Sequence, residues 1–92
     1  MDLNTLIADV AASANVTVEQ IKSDTRTSEI ALARQAFCYL AESARFNHKD
    51  IAKVINRSEA TIYYSIRVIK GYIDINDGQT RRLLNQLIKK VW

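Results

Sequence analysis

Apolar residues recur every three or four positions along most of this chain, a spacing that predicts a succession of α-helices. The first such run predicts a helix over residues 3–13. Thr17 and Gln20 have the spacing of a capping box, which predicts that a short second helix follows directly. Residues 23–27 are polar, and this segment predicts a loop before the next apolar run.

A longer helix is predicted from Ser28 to about Arg45, because apolar side chains follow one face throughout that segment. The predicted inner face consists of Ile30, Ala33, Phe37, Leu40 and Ala44. Polar side chains of the same segment are expected on its other faces, namely Arg34, Gln35 and Glu42.

Residues 51–66 have the pattern of a helix-turn-helix. Asn47 is predicted to cap its first helix, and Asn56 to take the left-handed backbone that the turn requires. Ser58 is predicted to cap a second helix that continues to about Ile75. The apolar stripe of this second helix is expected to contain Ile62, Ile66, Ile69 and Ile73. In DNA-binding proteins that contain this motif, the second helix enters the major groove.

The C-terminal segment predicts one more helix after a turn at residues 76–78. Proline is absent and glycine occurs only twice, so few residues interrupt the helices. The fold class predicted is all-α, as an orthogonal bundle of five or six helices that forms one domain over residues 1–92. The terminal Trp92 is expected to cover the end of the hydrophobic core.

The charge distribution favours a nucleic-acid partner more than the net charge of +3 does. Residues 25–70 contain eight basic and four acidic side chains, a surplus of +4. Residues 1–24 contain four acidic side chains and one basic, and these acidic residues are expected to lie away from any DNA contact.

The remaining composition excludes several other functions. The single cysteine, Cys38, cannot form an internal disulfide and falls within the predicted core of a cytoplasmic protein. The chain shows neither a secretory signal nor an apolar stretch long enough to span a membrane. Together with His48, the only histidine, Cys38 offers too few ligands for a metal site. We therefore expect no enzyme activity, cofactor or small-molecule substrate.

The segment SEIALARQAFCYLAESA, residues 28–44, resembles the Ser-Arg-Glu-Ile-x-x-Ala-Arg-Gln…Tyr-Leu-Ala segment of a known family. That family is the C-terminal DNA-binding domain of DnaA, the bacterial chromosomal replication initiator, whose helix-turn-helix fold is also described as Trp repressor-like. The similarity extends over most of the chain. It implies an all-helical domain and double-stranded DNA as the ligand.

The resemblance also implies roles for individual residues. Arg26 matches the arginine of a basic loop that enters the minor groove in the family. Arg34 and Gln35 match residues that hold the phosphate backbone. Thr61 falls on the second threonine of the family's Gly-Gly-Arg-Asp-His-Thr-Thr-Val signature.

The sequence departs from the family where bases are read. The Asp-His pair of the signature is replaced here by Ser58 and Glu59, and the Ser-Leu-Pro start of the preceding helix by residues 47–49. We therefore expect backbone contacts to be retained and the preferred DNA sequence to differ from the initiator's usual box. The chain also lacks a glycine-rich phosphate loop, so no ATPase activity is expected.

Several side chains in this region have a second interpretation. A phosphate-binding rim is predicted, formed by Arg26, Arg34, Lys49, Lys53 and Arg57. These cations could also be ordinary solvated charges. Glu59 could accept a hydrogen bond from a cytosine amino group, or it could only favour the positive end of its helix. Tyr63 and Tyr64 lie about 100° apart on a helix, so one of them is expected to pack against the core. Tyr64 is the better candidate for DNA contact.

The sequence thus predicts a double-stranded DNA-binding protein with a sequence preference, acting in replication initiation or transcription control. The predicted interface consists of Arg26, Arg34, Gln35, Asn47, Lys49, Lys53, Arg57, Ser58, Glu59, Ala60, Thr61 and Tyr64. The alternative is a protein-interaction module that docks on a replication or phage protein, or on a second copy of itself, without binding DNA.

Overall fold

The computed structural model describes residues 2–91, with side chains as far as residue 87. The helices in this part of the chain are α1 (Leu3–Ala14), α2 (Val18–Lys22), α3 (Ser28–Ser43), α4 (His48–Ile55), α5 (Glu59–Asp74) and α6 (Gly78–Val91). These residues contain no β-strand. The predicted all-α class is confirmed. The prediction for Trp92 concerns a residue outside the described part.

Local polar chemistry sets where the first helices begin. The capping box predicted for α2 is present, because the Gln20 N–H donates to Thr17 Oγ1 at 3.0 Å and the Thr17 N–H donates to Gln20 Oε1 at 2.9 Å. In α4, the Asn47 side chain accepts from the Asp50 N–H at 2.8 Å, as predicted. Each such cap contributes about 1 kcal/mol.

Helix α3 lies at the centre of the core, between α1 and α5. Nine of its sixteen residues are buried, so this helix is enclosed on most of its sides rather than along a single stripe. The large, fully buried side chains come from all six helices: Leu6, Ile7, Ile21, Phe37, Ile51, Ile55, Ile62, Ile69 and Leu87. Cys38 is fully buried among them, as predicted.

Helix α3 ends two residues earlier than the sequence predicts, because the chain turns into the left-handed region at Arg45, with φ at 72°. The Arg45 N–H donates to the Glu42 carbonyl at 2.9 Å, and the Phe46 N–H donates to the Ala41 carbonyl at 3.1 Å. These two bonds form a Schellman motif, which ordinarily has glycine at the left-handed position. Ala44 is therefore half-buried rather than a core residue.

The last turn of α5 also differs from the prediction. Ile69 is fully buried, but Ile73, which the predicted apolar stripe included, is 40% exposed and lies outside the buried stripe of the helix. Residues 70–76 are all exposed, because this end of α5 extends beyond the core. Asp77 then caps α6, and Gly78 belongs to that helix rather than to the predicted turn.

None of the described helices has both the length and the apolar character needed to cross a membrane.

Candidate nucleic-acid interface

The predicted helix-turn-helix is formed by α4 and α5. Asn56 has the left-handed backbone expected of it, with φ at 56° and ψ at 50°. Its N–H donates to the Lys53 carbonyl at 3.3 Å, and the Arg57 N–H donates to the Ala52 carbonyl at 2.9 Å. This Schellman motif ends α4 and turns the chain at once into α5.

The first turn of α5 is capped as predicted. Ser58 Oγ accepts from the Thr61 N–H at 3.3 Å and lies 3.1 Å from Thr61 Oγ1. The apolar side of α5 is buried at Ile62 and Ile66, which holds the opposite side of the helix towards solvent. The exposed residues of the predicted interface on this motif are Asn47, Lys49, Lys53, Ser58, Glu59, Ala60 and Tyr64.

A groove of about 720 Å³ lies between α5 and the loop that precedes α3. It is lined by Asp24, Arg26, Ala31, Arg34, Gln35, Arg57, Thr61, Tyr64 and Ser65. Half of the predicted interface therefore lies on this single groove, although its members come from three separate parts of the chain. Three of the lining side chains are arginines, which gives the groove a positive character.

Arg34 does not lie on an outer face of α3, as the sequence pattern suggested, but is only 9% exposed. Its Nε donates to the Ile21 carbonyl at 2.7 Å. Its Nη2 donates to three more carbonyls, those of Gln20 at 3.2 Å, Ser23 at 2.8 Å and Thr25 at 3.1 Å. Carbonyls at the end of a helix lack partners within that helix. The guanidinium of Arg34 supplies a partner to the Ile21 carbonyl in the last turn of α2 and to carbonyls of the loop that follows, which explains its burial.

Arg57 reaches the same loop from the turn between α4 and α5. Its guanidinium donates to the carbonyl of Ser23, which also accepts from Arg34, and to the carbonyl of Lys22 at 3.4 Å. Its Nη2 also pairs with Asp24 Oδ1 at 3.2 Å. The side chain of Arg57 is 19% exposed.

Two positive groups therefore meet on one carbonyl. Burial lowers the pKa of Arg34, and the neighbouring charge of Arg57 lowers it further. Arginine nevertheless remains charged in proteins. The carbonyl dipoles and the Asp24 carboxylate offset the repulsion between the two guanidiniums.

Asp24 is the interface feature that sequence reasoning missed. It belongs to the acidic N-terminal segment expected to lie away from any contact, yet it lines the basic groove. No local pattern indicates this position, because its partner Arg57 is distant in the sequence. Arg26 follows shortly after, is exposed, and also lines the groove.

The expectation that one of the two adjacent tyrosines packs into the core is wrong. Tyr63 and Tyr64 are each 62% exposed, because the buried side of α5 passes through Ile62 and Ser65 instead. Tyr63 packs edge-on against the ring of His48 on α4, with ring centroids 4.3 Å apart. It therefore contacts α4, whereas Tyr64 lines the groove.

Other chemistry of these residues is limited. Burial raises the pKa of the Cys38 thiol to about 12, so this thiol is protonated at neutral pH. His48 Nε2 lies 2.7 Å from Glu42 Oε2. Where side chains are described, no three histidine, cysteine, aspartate or glutamate residues group in a way that could hold a metal ion.

The fold and the groove together define a small helix-turn-helix domain with a basic concave surface beside its second helix. The chain belongs to the bacterial DnaA helix-turn-helix family, since the model of the family described as "Bacterial dnaA protein helix-turn-helix" matches residues 3–69. The resemblance inferred from residues 28–44 is thereby confirmed.

Two chromosomal replication initiator proteins DnaA are among the similar curated proteins. The protein from Ureaplasma parvum serovar 3 is 31% identical over 87 residues, which cover 92% of this chain and 19% of that protein. The protein from Desulfotalea psychrophila is 31% identical over an alignment of 94 positions, which covers 96% of this chain and 19% of that protein. The chain thus spans about a fifth of the length of the relatives it matches.

Proposed function

We propose that this chain binds double-stranded DNA as a DnaA-type domain, with α5 in the major groove and the loop of residues 23–27 at an adjacent minor groove. The observation that supports this most directly is the groove, where three arginines from separate segments lie beside the exposed side of α5. Membership of the DnaA helix-turn-helix family supports the same ligand.

The exposed side of α5 supplies the proposed base contacts. Glu59 and Ala60 lie in the first turn, where recognition helices of this class contact base edges. The Glu59 carboxylate can accept a hydrogen bond from a cytosine amino group. The Tyr64 ring can contact a thymine methyl group, or its hydroxyl a phosphate. Such contacts would give the protein a sequence preference.

The proposed backbone contacts come from α4 and from the loop. Lys49 is exposed in the first turn of α4, where the helix dipole favours a phosphate. Lys53 is exposed in the last turn of the same helix, where its charge can attract a phosphate. Gln35 lines the groove from α3, where its amide can donate to a phosphate oxygen. Arg26 is exposed in the loop, and we propose that it enters the minor groove.

We further propose a role in replication initiation or transcription control, with a preferred sequence different from the initiator's usual box. The reason for the different sequence is that Ser58 and Glu59 stand where the family has its base-reading pair. Both lie exposed at the start of α5, in the position proposed to face the bases.

The experiment that tests this function is a selection from randomised duplex DNA at two salt concentrations, followed by sequencing of the bound fraction. We expect salt-sensitive binding and an enriched motif. Lys53→Ala should weaken binding to all duplexes and lower the slope of log affinity against log salt by about 0.9. Glu59→Ala should change the enriched motif.

Arg82→Ala is the matched control, because Arg82 is also an exposed cation but lies on α6 and does not line the groove. The proposal is wrong if the wild-type protein binds no duplex, or if Arg82→Ala weakens binding as much as Lys53→Ala does. Binding without an enriched motif would leave a nonspecific DNA-binding protein and contradict the proposed sequence preference.

One observation favours the alternative of a protein-interaction module. Ile75 is 73% exposed, and Tyr72 and Ile73 are exposed beside it at the end of α5. A groove of about 260 Å³ next to them is partly lined by Leu40 and Leu84. If the protein does not bind DNA, and Ile75→Ser abolishes its self-association in sedimentation experiments, this alternative is the better one.

A further inference from the structure

The loop between α2 and α3 is held in place from two sides. Arg34, an almost completely buried residue of α3, donates hydrogen bonds to four backbone carbonyls. Two of these carbonyls lie in the loop and two lie just before it, in α2. Arg57, from the turn of the helix-turn-helix, donates to the carbonyls of Lys22 and Ser23. The two guanidiniums thus share the Ser23 carbonyl.

These partners differ from those expected of phosphate ligands. A guanidinium that binds a phosphate presents its fork of N–H groups to solvent and to the incoming anion. Here the Nε and Nη2 groups of Arg34 already donate to backbone carbonyls, and only 9% of the residue is exposed. Arg57 is also mostly buried, and its Nη2 already contacts both the Ser23 carbonyl and the Asp24 carboxylate.

We propose that Arg34 and Arg57 are positioning residues, which fix the backbone of residues 22–25 so that Arg26 is presented to the DNA at a set distance from α5. This inference rests on the proposed function, and it replaces the role of phosphate ligand that the family resemblance implies for Arg34.

Arg57 links the helix-turn-helix to the loop that carries Arg26. Arg57 directly follows Asn56 in the turn that sets where α5 begins, and its side chain ends on the loop that carries Arg26. The proposed major-groove and minor-groove elements are therefore joined by one side chain. Without it, the loop would have to be ordered when DNA binds, and ordering a few residues opposes binding.

A double-mutant cycle tests the proposal. The probe is a fluorescent duplex of about two helical turns that contains an A-tract, whose narrow minor groove attracts arginine. Affinities are measured for the wild-type protein, Arg26→Ala, Arg57→Ala and the double variant. We expect Arg57→Ala to bind about tenfold more weakly, the size of effect that ordering one residue produces. Arg26→Ala should lose at least as much, because it removes the minor-groove contact itself. We expect the double variant to bind within about twofold of Arg26→Ala, because Arg57 acts through Arg26.

The salt dependence and a matched pair separate this role from its alternatives. In the Arg26→Ala background, Arg57→Ala should leave the salt slope unchanged, whereas loss of a phosphate ligand would lower it by about 0.9. Lys53→Ala combined with Arg57→Ala is the control cycle, and these two losses should multiply. A general structural defect would instead affect the Lys53 and Arg26 cycles alike.

Arg57→Lys is a second variant that keeps the charge and removes the fork. A phosphate ligand that acts mainly through its charge tolerates lysine, which also binds phosphate as a point charge. A group that bridges two carbonyls and a carboxylate needs the planar fork and does not tolerate lysine. We expect Arg57→Lys to weaken binding nearly as much as Arg57→Ala does. If Arg57→Ala does not fold, as judged by circular dichroism, the cycle is carried out with Arg57→Lys.

The proposal is overturned if the losses from Arg26→Ala and Arg57→Ala multiply with a lower salt slope, or if either Arg57 variant binds like the wild type. Those results leave DNA binding itself intact. Failure of the proposed function would look different, because the wild-type protein would then not bind the duplex at all.

Discussion

The Asp24 carboxylate faces the Arg57 guanidinium at 3.2 Å, at the edge of the groove proposed to receive DNA. The Asp24 side chain is fully exposed, so the ion pair itself adds little to stability. Its position has a larger consequence for binding. A carboxylate at this edge repels the phosphates of an approaching duplex.

Asp24→Asn should therefore increase DNA affinity at low salt, by about threefold, since one exposed charge contributes less than about 1 kcal/mol. The gain should disappear as salt screens the groove. Fluorescence anisotropy with a random-sequence duplex at low and high salt measures it. Asp74→Asn removes another exposed carboxylate, from the far end of α5, and should change affinity less. A loss of affinity in Asp24→Asn would mean that the ion pair is needed to hold Arg57 for DNA.

The stability of the fold should depend strongly on Arg34. Arg34→Ala leaves the Ile21 and Thr25 carbonyls without a side-chain donor. The other two carbonyls to which Arg34 donates keep a second donor. Buried acceptors left unsatisfied are costly, and we expect the free energy of unfolding to fall by about 3 kcal/mol. Urea denaturation followed by circular dichroism measures this loss. Arg82→Ala, at an exposed position, should stay within about 0.5 kcal/mol of the wild type. Equal stability of the two variants would contradict the role assigned to Arg34.

The helix boundaries were largely predictable, because the chemistry that sets them is local. Thr17 and Gln20 satisfy one another's backbone N–H groups, and a spacing of three residues is enough to indicate it. The left-handed backbone at Asn56 was predictable because asparagine is one of the few residues other than glycine that tolerate that conformation. The end of α3 was not predictable in the same way, since Arg45 is an unusual residue for a left-handed position.

The arrangement of the site could be predicted only in part. Exposure of Lys53 and Glu59 follows from helical periodicity, so sequence alone placed them on the outer surface. Arg34 is buried because it donates to a backbone carbonyl of another helix, α2. Helical periodicity within α3 does not indicate a hydrogen-bond partner on a different helix. The contact between Arg57 and Asp24 is likewise formed only when the chain folds.

Arg45 offers a route to higher stability. A residue other than glycine in the left-handed conformation is strained by about 1 kcal/mol, so Arg45→Gly should raise the free energy of unfolding by up to that amount. Ala44→Gly is the control, because Ala44 has φ at −83° and gains nothing from glycine. It should lower stability instead. Urea denaturation of the two variants and the wild type measures these changes in the free energy of unfolding. If Arg45→Gly is less stable than the wild type, the contacts of the arginine side chain contribute more than the backbone strain costs.

The cap of α6 should make stability depend on acid pH. Asp77 Oδ2 accepts from the Thr80 N–H at 2.9 Å and from Thr80 Oγ1 at 2.8 Å, and these hydrogen bonds lower the pKa of Asp77 in the folded protein. A carboxyl group whose pKa is lower when folded stabilises the protein above its unfolded pKa of about 3.9, and this stabilisation is lost as the pH falls through the folded pKa.

Asp77→Ala should therefore have a lower melting temperature than the wild type at pH 7, and the difference should shrink as the pH is lowered below about 4. Asp74→Ala, which removes an exposed carboxylate near the end of α5, corrects for the change in net charge. Thr80→Val provides a second comparison, because it removes the buried hydroxyl donor and leaves the backbone donor in place. If the deficit of Asp77→Ala were the same at pH 7 and at acid pH, the charged form of the Asp77 cap would not be what stabilises the start of α6.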